Sequence, residues 1–159
     1  MAQENSTANV EAENPAVQLS FDRFDTEIAL KLGLTLVESA QARKLVVAIG
    51  IDMGEQIVFR AAMPGTNADY QTWLERKFNS VRRFSKSSYA LEVGLKSNPD
   101  FASERALDAA RFALVGGAVP ILIDTTLVGV VGVAGLQSHE DHALVVDALL
   151  RVGAKPLVQ

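Results

Sequence analysis

The chain has 159 residues, enough for one domain with a proper hydrophobic core and short for two. Its formal net charge of −4 argues against non-specific binding to nucleic acid, which requires a cationic surface. No apolar run reaches the roughly 18 residues of a membrane-spanning helix. The apolar residues, which make up 48% of the chain, must therefore fill a core or be buried between subunits.

The first residues are polar and acidic, and they lack the basic start and apolar segment of a secretory signal. We therefore interpret residues 1–21 as a disordered acidic tail and residues 22–159 as a single domain. The chain has no cysteine, which excludes disulfides, a thiolate zinc site and a cysteine nucleophile. The absence of cysteine agrees with the cytoplasmic location that we expect.

The first half of the domain predicts a helix followed by a β-hairpin. Between residues 24 and 44 apolar residues recur at three- and four-residue steps, and Asp25 is the candidate N-cap. The continuous β-branched run at 45–51 is typical of a strand covered on both faces. A D-M-G-E turn and a second apolar run, ending at Met63, complete the hairpin.

The second half repeats this order with a long and a short helix before the hairpin. After the break P-G-T-N, the pattern predicts a long helix at 68–95 and a shorter one at 103–114. A second hairpin follows, in which Gly129 and Gly132 suggest close approach of another backbone or a ligand. The last helix begins at Ser138. Paired hairpins separated by helices predict an α+β fold with a central antiparallel sheet flanked by helices.

Both histidines, His139 and His142, lie in the stretch G-L-Q-S-H-E-D-H at the start of the last helix. Ser138, followed three residues later by Asp141, approximates a capping box. The alternative is a metal site, but a catalytic zinc needs a third protein ligand and nothing in the sequence nominates one. We therefore predict no metal, a helix start first, and a ligand or subunit contact second.

Lys77 occupies an unusual position in the predicted long helix. At about 100° per residue it falls in the middle of an apolar sector formed by Tyr70, Trp73, Leu74, Val81 and Phe84. A lysine there must snorkel, pair with a buried anion such as Asp52, or line a pocket. Gly116 and Gly117 offer close backbone approach to the same ligand. We predict that Lys77 is largely buried and faces an anion or a carboxylate.

Three strings in the chain resemble one known family. They are T-W-L-E-R-K-F-N-S-V-R-R-F-S-K-S-S, G-G-A-V-P-I, and V-A-G-L followed shortly by D-H-A-L-V-V-D-A-L. They resemble the haem-degrading domain family, which is related to the GlcG and HbpS-like haem-binding proteins and to the C-terminal domain of PduO. The resemblance covers residues 22–151. Many relatives carry a serine where this chain has Ala134.

The resemblance implies a profilin-like domain that forms homo-oligomers, with some relatives binding haem or corrinoid-type ligands. The matching positions that we take as candidate ligand-binding residues are Trp73, Lys77, Phe84, Gly116, Gly117, Asp141 and His142.

The first functional hypothesis is a small-molecule-binding homo-oligomer with haem as the leading ligand. Lys77 would hold a carboxylate, while Trp73 or Phe84 packs against the ring. His142 is the candidate axial ligand. The alternatives are a structural or adaptor oligomer without a ligand, and a haem-degrading or small-acid enzyme. We expect neither a nucleic-acid nor a membrane partner.

Overall fold

Two hairpins form the middle of the sheet. The computed structural model describes residues 14–157. Its strands are β1 (Leu19–Phe21), β2 (Ala48–Met53), β3 (Gln56–Ala62), β4 (Ala118–Ile123), β5 (Thr126–Ala134) and β6 (Lys155–Pro156). They form one sheet in the order β3-β2-β5-β4-β1-β6, in which β1 runs parallel to β4 and the other neighbours are antiparallel. The predicted α+β fold with a central antiparallel sheet of two hairpins is confirmed.

Helices cover both faces of the sheet. They are α1 (Thr26–Ala42), α2 (Ala68–Phe84), α3 (Ser88–Gly94), α4 (Phe101–Glu104) and α5 (Ser138–Arg151). Helices α1 and α5 share the larger apolar core with the sheet, whereas α2 forms a second core on the other face. Asp25 caps α1 as predicted, since its Oδ1 accepts the Ile28 backbone N–H at 2.9 Å. None of the helices within 14–157 is long and apolar enough to cross a membrane.

The glycines of β5 let neighbouring groups come close to the strand. A Cβ on Gly132 would lie 2.7 Å from the ring of Phe78, which is fully buried on α2. A Cβ on Gly129 would lie 2.6 Å from the backbone oxygen of Asp52. The predicted close approach is confirmed, and it is made by a ring and a backbone of the protein itself.

The predicted helix at 68–95 is interrupted, which corrects the sequence interpretation. Ser85 adopts a left-handed conformation with φ 53°, and α2 therefore ends at Phe84. Ser87 then caps α3 by accepting the Ala90 backbone N–H at 3.0 Å. The left-handed backbone of Ser85 and the hydroxyl cap of Ser87 therefore outweigh the continuous helical periodicity.

Two further sequence predictions were wrong in their extent. The predicted helix at 103–114 is only the single turn α4, because the chain after it is tied to α2: Asn79 donates to the Arg111 carbonyl and Ser80 to the Ala113 carbonyl, each at 2.8 Å. The predicted tail at 1–21 includes β1, whose alternating apolar residues are buried beside β4. Residues 1–13 lie outside the described part of the chain.

Candidate functional site

Lys77 and Asp141 form a buried ion pair between α2 and α5. Lys77 retains 2% and Asp141 1% of their accessible surface, which confirms the predicted burial of Lys77 against a carboxylate. The Lys77 Nζ donates to Asp141 Oδ2 at 3.0 Å and to the Val133 carbonyl of β5 at 3.2 Å. An ammonium group has three N–H bonds, so one remains without a partner among residues 14–157.

Asp141 is held by the backbone as well as by Lys77. Its Oδ1 accepts the Leu136 N–H at 3.0 Å, and its Oδ2 accepts the Gly135 N–H at 3.3 Å. Burial raises the pKa of Asp141 above its usual value of 3.8, while the Lys77 charge and hydrogen bonds oppose this shift. The carboxylate therefore fastens the turn before α5 to the lysine of α2.

Gly117 permits this pair to form. A Cβ there would lie 2.5 Å from the Val133 carbonyl oxygen, 2.7 Å from Lys77 Nζ and 3.0 Å from the Asp141 Cβ. Gly117 also has a φ of +135°, which disfavours other residues. Gly116 serves packing instead, because its missing Cβ leaves room for the Ser138 carbonyl and the Tyr89 ring.

A cavity of about 360 Å³ opens beside the ion pair. We call it the Lys77 cavity, and its lining is Asn67, Asp69, Tyr70, Trp73, Lys77, Val115, Ala134, Gly135, Leu136 and Asp141. Trp73 keeps 43% of its surface exposed, and the Arg76 guanidinium lies 4.3 Å from its ring centroid. The cavity thus combines a fixed polar floor with an exposed aromatic wall, as small-molecule sites commonly do.

Phe84 does not belong to this cavity. It lies at the far end of α2, with its ring centroid 5.2 Å from that of Phe101. The periodicity placed it correctly on the partly buried side of the helix, but it left undetermined which end of the helix borders a cavity. The expected pairing of Asp52 with Lys77 is also wrong, since Asp52 binds Arg60 and Arg82.

His142 lies in the wall of a different cavity, of about 280 Å³, which we call the His142 cavity. Its lining is Pro15, Ala16, Val17, Gln18, Leu19, Lys86, Ser87, Ala90, Val119, Pro120, His142 and Val146. The imidazole is 2% exposed, and its ring centroid is 4.9 Å from that of Tyr89. Desolvation by burial lowers its pKa from 6.5 to about 4, so the ring is neutral at pH 7.

The start of α5 differs from the predicted capping box. The helix begins at Ser138, but the N-cap position is Gln137, and no side chain caps it. Ser138 Oγ donates to Glu92 Oε1 at 2.8 Å instead. The predicted capping box is therefore wrong. His139 is exposed and borders a groove apart from His142.

The arrangement defines an open-sheet α+β domain with a buried ion pair between α2 and α5, a cavity lined by that pair and a separate cavity lined by His142. A family model described as "Haem degrading protein HbpS-like" matches residues 24–150. A UPF0303 protein of Rhizobium etli is 41% identical over 140 residues, covering 87% of this chain and 85% of the relative. A UPF0303 protein of Rhizobium meliloti is 44% identical over 134 residues, covering 83% and 82%.

Solved structures share the fold. The Ybr137w protein is 26% identical with a TM-score of 0.74, and the match covers 84% of this chain and 82% of that one. A PduOC complex with haem has a TM-score of 0.71 at 17% identity, covering 86% and 99%. HbpS has a TM-score of 0.67 at 18% identity, covering 82% and 91%. This chain belongs to the HbpS-like haem-degrading protein family, as the sequence resemblance indicated.

Proposed function

We propose that this protein binds a small planar ligand of the tetrapyrrole class, with haem as the leading candidate, in the Lys77 cavity. The observation that carries the proposal is the exposed ring of Trp73 in a cavity whose lining also includes the Tyr70 phenol and the Lys77–Asp141 ion pair. Membership of the HbpS-like family and the haem complex of the similarly folded PduOC support the choice of ligand.

The residues of the Lys77 cavity fit a haem in specific ways. Tyr70 brings a phenol, one of the protein groups that bind haem iron, and Trp73 offers a ring for stacking. The lining carries two carboxylates, on Asp69 and Asp141, and one ammonium group. Because Lys77 is already paired with Asp141, it would not hold the haem propionates as the sequence hypothesis supposed. Bound haem would supply the iron and the visible absorption.

His142 does not fit the axial-ligand role that the sequence suggested. It lines the His142 cavity and not the Lys77 cavity, although its neighbour Asp141 lines the latter.

We expect haem to bind the purified protein with a shift of its Soret band. Trp73→Ala should weaken binding by about fivefold, since an aromatic contact contributes on the order of 1 kcal/mol. Tyr70→Phe should change the position of the band, because it removes the phenol oxygen while keeping the ring. Phe84→Ala is the matched aromatic control, and its affinity should equal that of the wild type.

A titration without any change in the Soret band would contradict the proposal and favour the structural or adaptor oligomer. Equal weakening by Trp73→Ala and Phe84→Ala would place the ligand elsewhere. Loss of the haem spectrum with time, in the presence of oxygen and a reductant, would favour the haem-degrading enzyme instead.

Homo-oligomer formation stays a prediction, and exposed apolar side chains support it. Leu30 and Leu34, one turn apart on α1, are 52% and 54% exposed, and Ile57 on the edge strand β3 is 59% exposed. Light scattering at micromolar concentration should give a mass above that of one chain, and Leu34→Lys should lower it by placing a charge in the contact. A wild-type monomer would contradict this prediction.

A further inference from the structure

The contacts of the buried His142 imidazole do not explain why a polar ring occupies this position. Neither Nδ1 nor Nε2 has a hydrogen-bond partner among residues 14–157, although both atoms are almost completely buried. An unsatisfied buried polar group costs about 1–3 kcal/mol, so such a group in a native protein calls for a binding partner or another function. The Lys77 cavity and its proposed ligand do not supply one, because His142 is not part of that lining.

The His142 cavity has the composition of a site for a small amphipathic molecule. Most of its wall is apolar and comes from the segment before β1, from β4 and from α5, with Val17, Leu19, Ala90, Val119, Pro120 and Val146 as the contributors. At about 280 Å³ it has room for a molecule the size of a short-chain or single-ring organic acid.

The polar groups of the cavity are mainly hydrogen-bond donors. Neutral His142 offers one ring N–H. Ser87 Oγ already accepts the Ala90 N–H, which leaves its own hydroxyl hydrogen free to donate. Lys86 is exposed and is the one charged residue among the described residues of the lining, so no carboxylate within 14–157 lines the cavity beside these donors.

We propose that the His142 cavity is a second ligand site, separate from the Lys77 cavity, that takes a small organic monocarboxylate. The carboxylate would accept hydrogen bonds from His142 and Ser87 and face the charge of Lys86, while the carbon skeleton packs on the apolar wall. Hydrogen bonds to an ionised acceptor are about twice as strong as neutral ones, so the charge sets the preference. The Lys77 cavity has the opposite balance, with two carboxylates and one cation.

Calorimetric titration with benzoate and butyrate tests the site, with benzamide and butyramide as uncharged probes of the same shape. We expect the acids to bind at least tenfold more tightly than the amides. The ring ¹⁵N signals of His142 should shift with benzoate and stay unchanged with benzamide.

Variants separate this site from the haem proposal. His142→Phe keeps an aromatic ring against Tyr89 and should abolish benzoate binding. Lys86→Met, at an exposed position that the fold does not need, should weaken it by about tenfold, whereas Lys96→Met on another exposed lysine should leave it unchanged. Trp73→Ala should weaken haem binding and leave benzoate binding unchanged.

Three results would overturn the inference: no binding of either acid, equal affinity for acid and amide, or benzoate affinity in Lys86→Met equal to that of the wild type. Because none of them involves haem, the two proposals can fail independently.

Discussion

Lys77→Met is expected to lower the free energy of unfolding by about 3–5 kcal/mol. The substitution leaves Asp141 as an uncompensated charge with 1% of its surface accessible, and breaking a buried ion pair from one side carries a cost of this size. If Lys77 only lined a pocket, the variant would keep its stability and lose only binding. Because Lys77 is instead paired with a buried carboxylate, we expect a loss of stability, and chemical denaturation measures this loss.

Two further variants isolate the pair as the cause. Lys31→Met removes an exposed lysine of α1 and should change stability by less than about 0.5 kcal/mol. In Lys77→Met combined with Asp141→Asn, the amide oxygen still accepts a backbone N–H and no buried charge remains. The double variant should therefore lose less than the sum of the two single losses. Additive losses would show that the pair is not coupled, and a fully stable Lys77→Met would show that Asp141 finds another partner.

The second large effect is a fall in stability between pH 7 and pH 4, caused by His142. Its pKa is about 4 in the folded protein and near 6.5 when unfolded, so between these values the unfolded chain binds one more proton. Stability is then fully present above pH 6.5 and decreases as the pH falls. The loss approaches about 3 kcal/mol at pH 4, and denaturation midpoints across this range measure it.

His142→Phe should flatten this dependence by about the same amount, while the exposed His139→Phe on the same helix should retain it. The variants must be compared because Asp141 affects the pH dependence of stability in the opposite direction. Its raised pKa contributes stability below the unfolded pKa of the carboxyl, and this stability is lost as the pH rises. If the stabilities of the wild type and of His142→Phe decrease in parallel as the pH falls, His142 is protonated as readily in the folded state as in the unfolded one.

Local patterns were sufficient for much of the fold. The two hairpins, the cap at Asp25 and the start of α5 at Ser138 follow from apolar periodicity and turn residues, which act over a few neighbouring positions. The burial of Lys77 was also predictable, since its place in the apolar sector of a helix leaves little choice. Short strands such as β1 were missed because three residues carry too little pattern to separate a strand from a polar tail.

The membership of the candidate sites depended on the tertiary structure. Asp141 is 64 residues from Lys77, and several acidic residues were equally available as partners until the sheet placed α5 beside α2. The D-H pair looked like one unit, yet successive helical residues differ in direction by about 100°, so Asp141 faces the Lys77 cavity and His142 faces the other. The sequence by itself determined that Lys77 would be buried, because helical periodicity places it in an apolar sector. Only the packing of α2, α5 and the segment before β1 decided which partners and cavities they meet, because those contacts join residues that no local pattern connects.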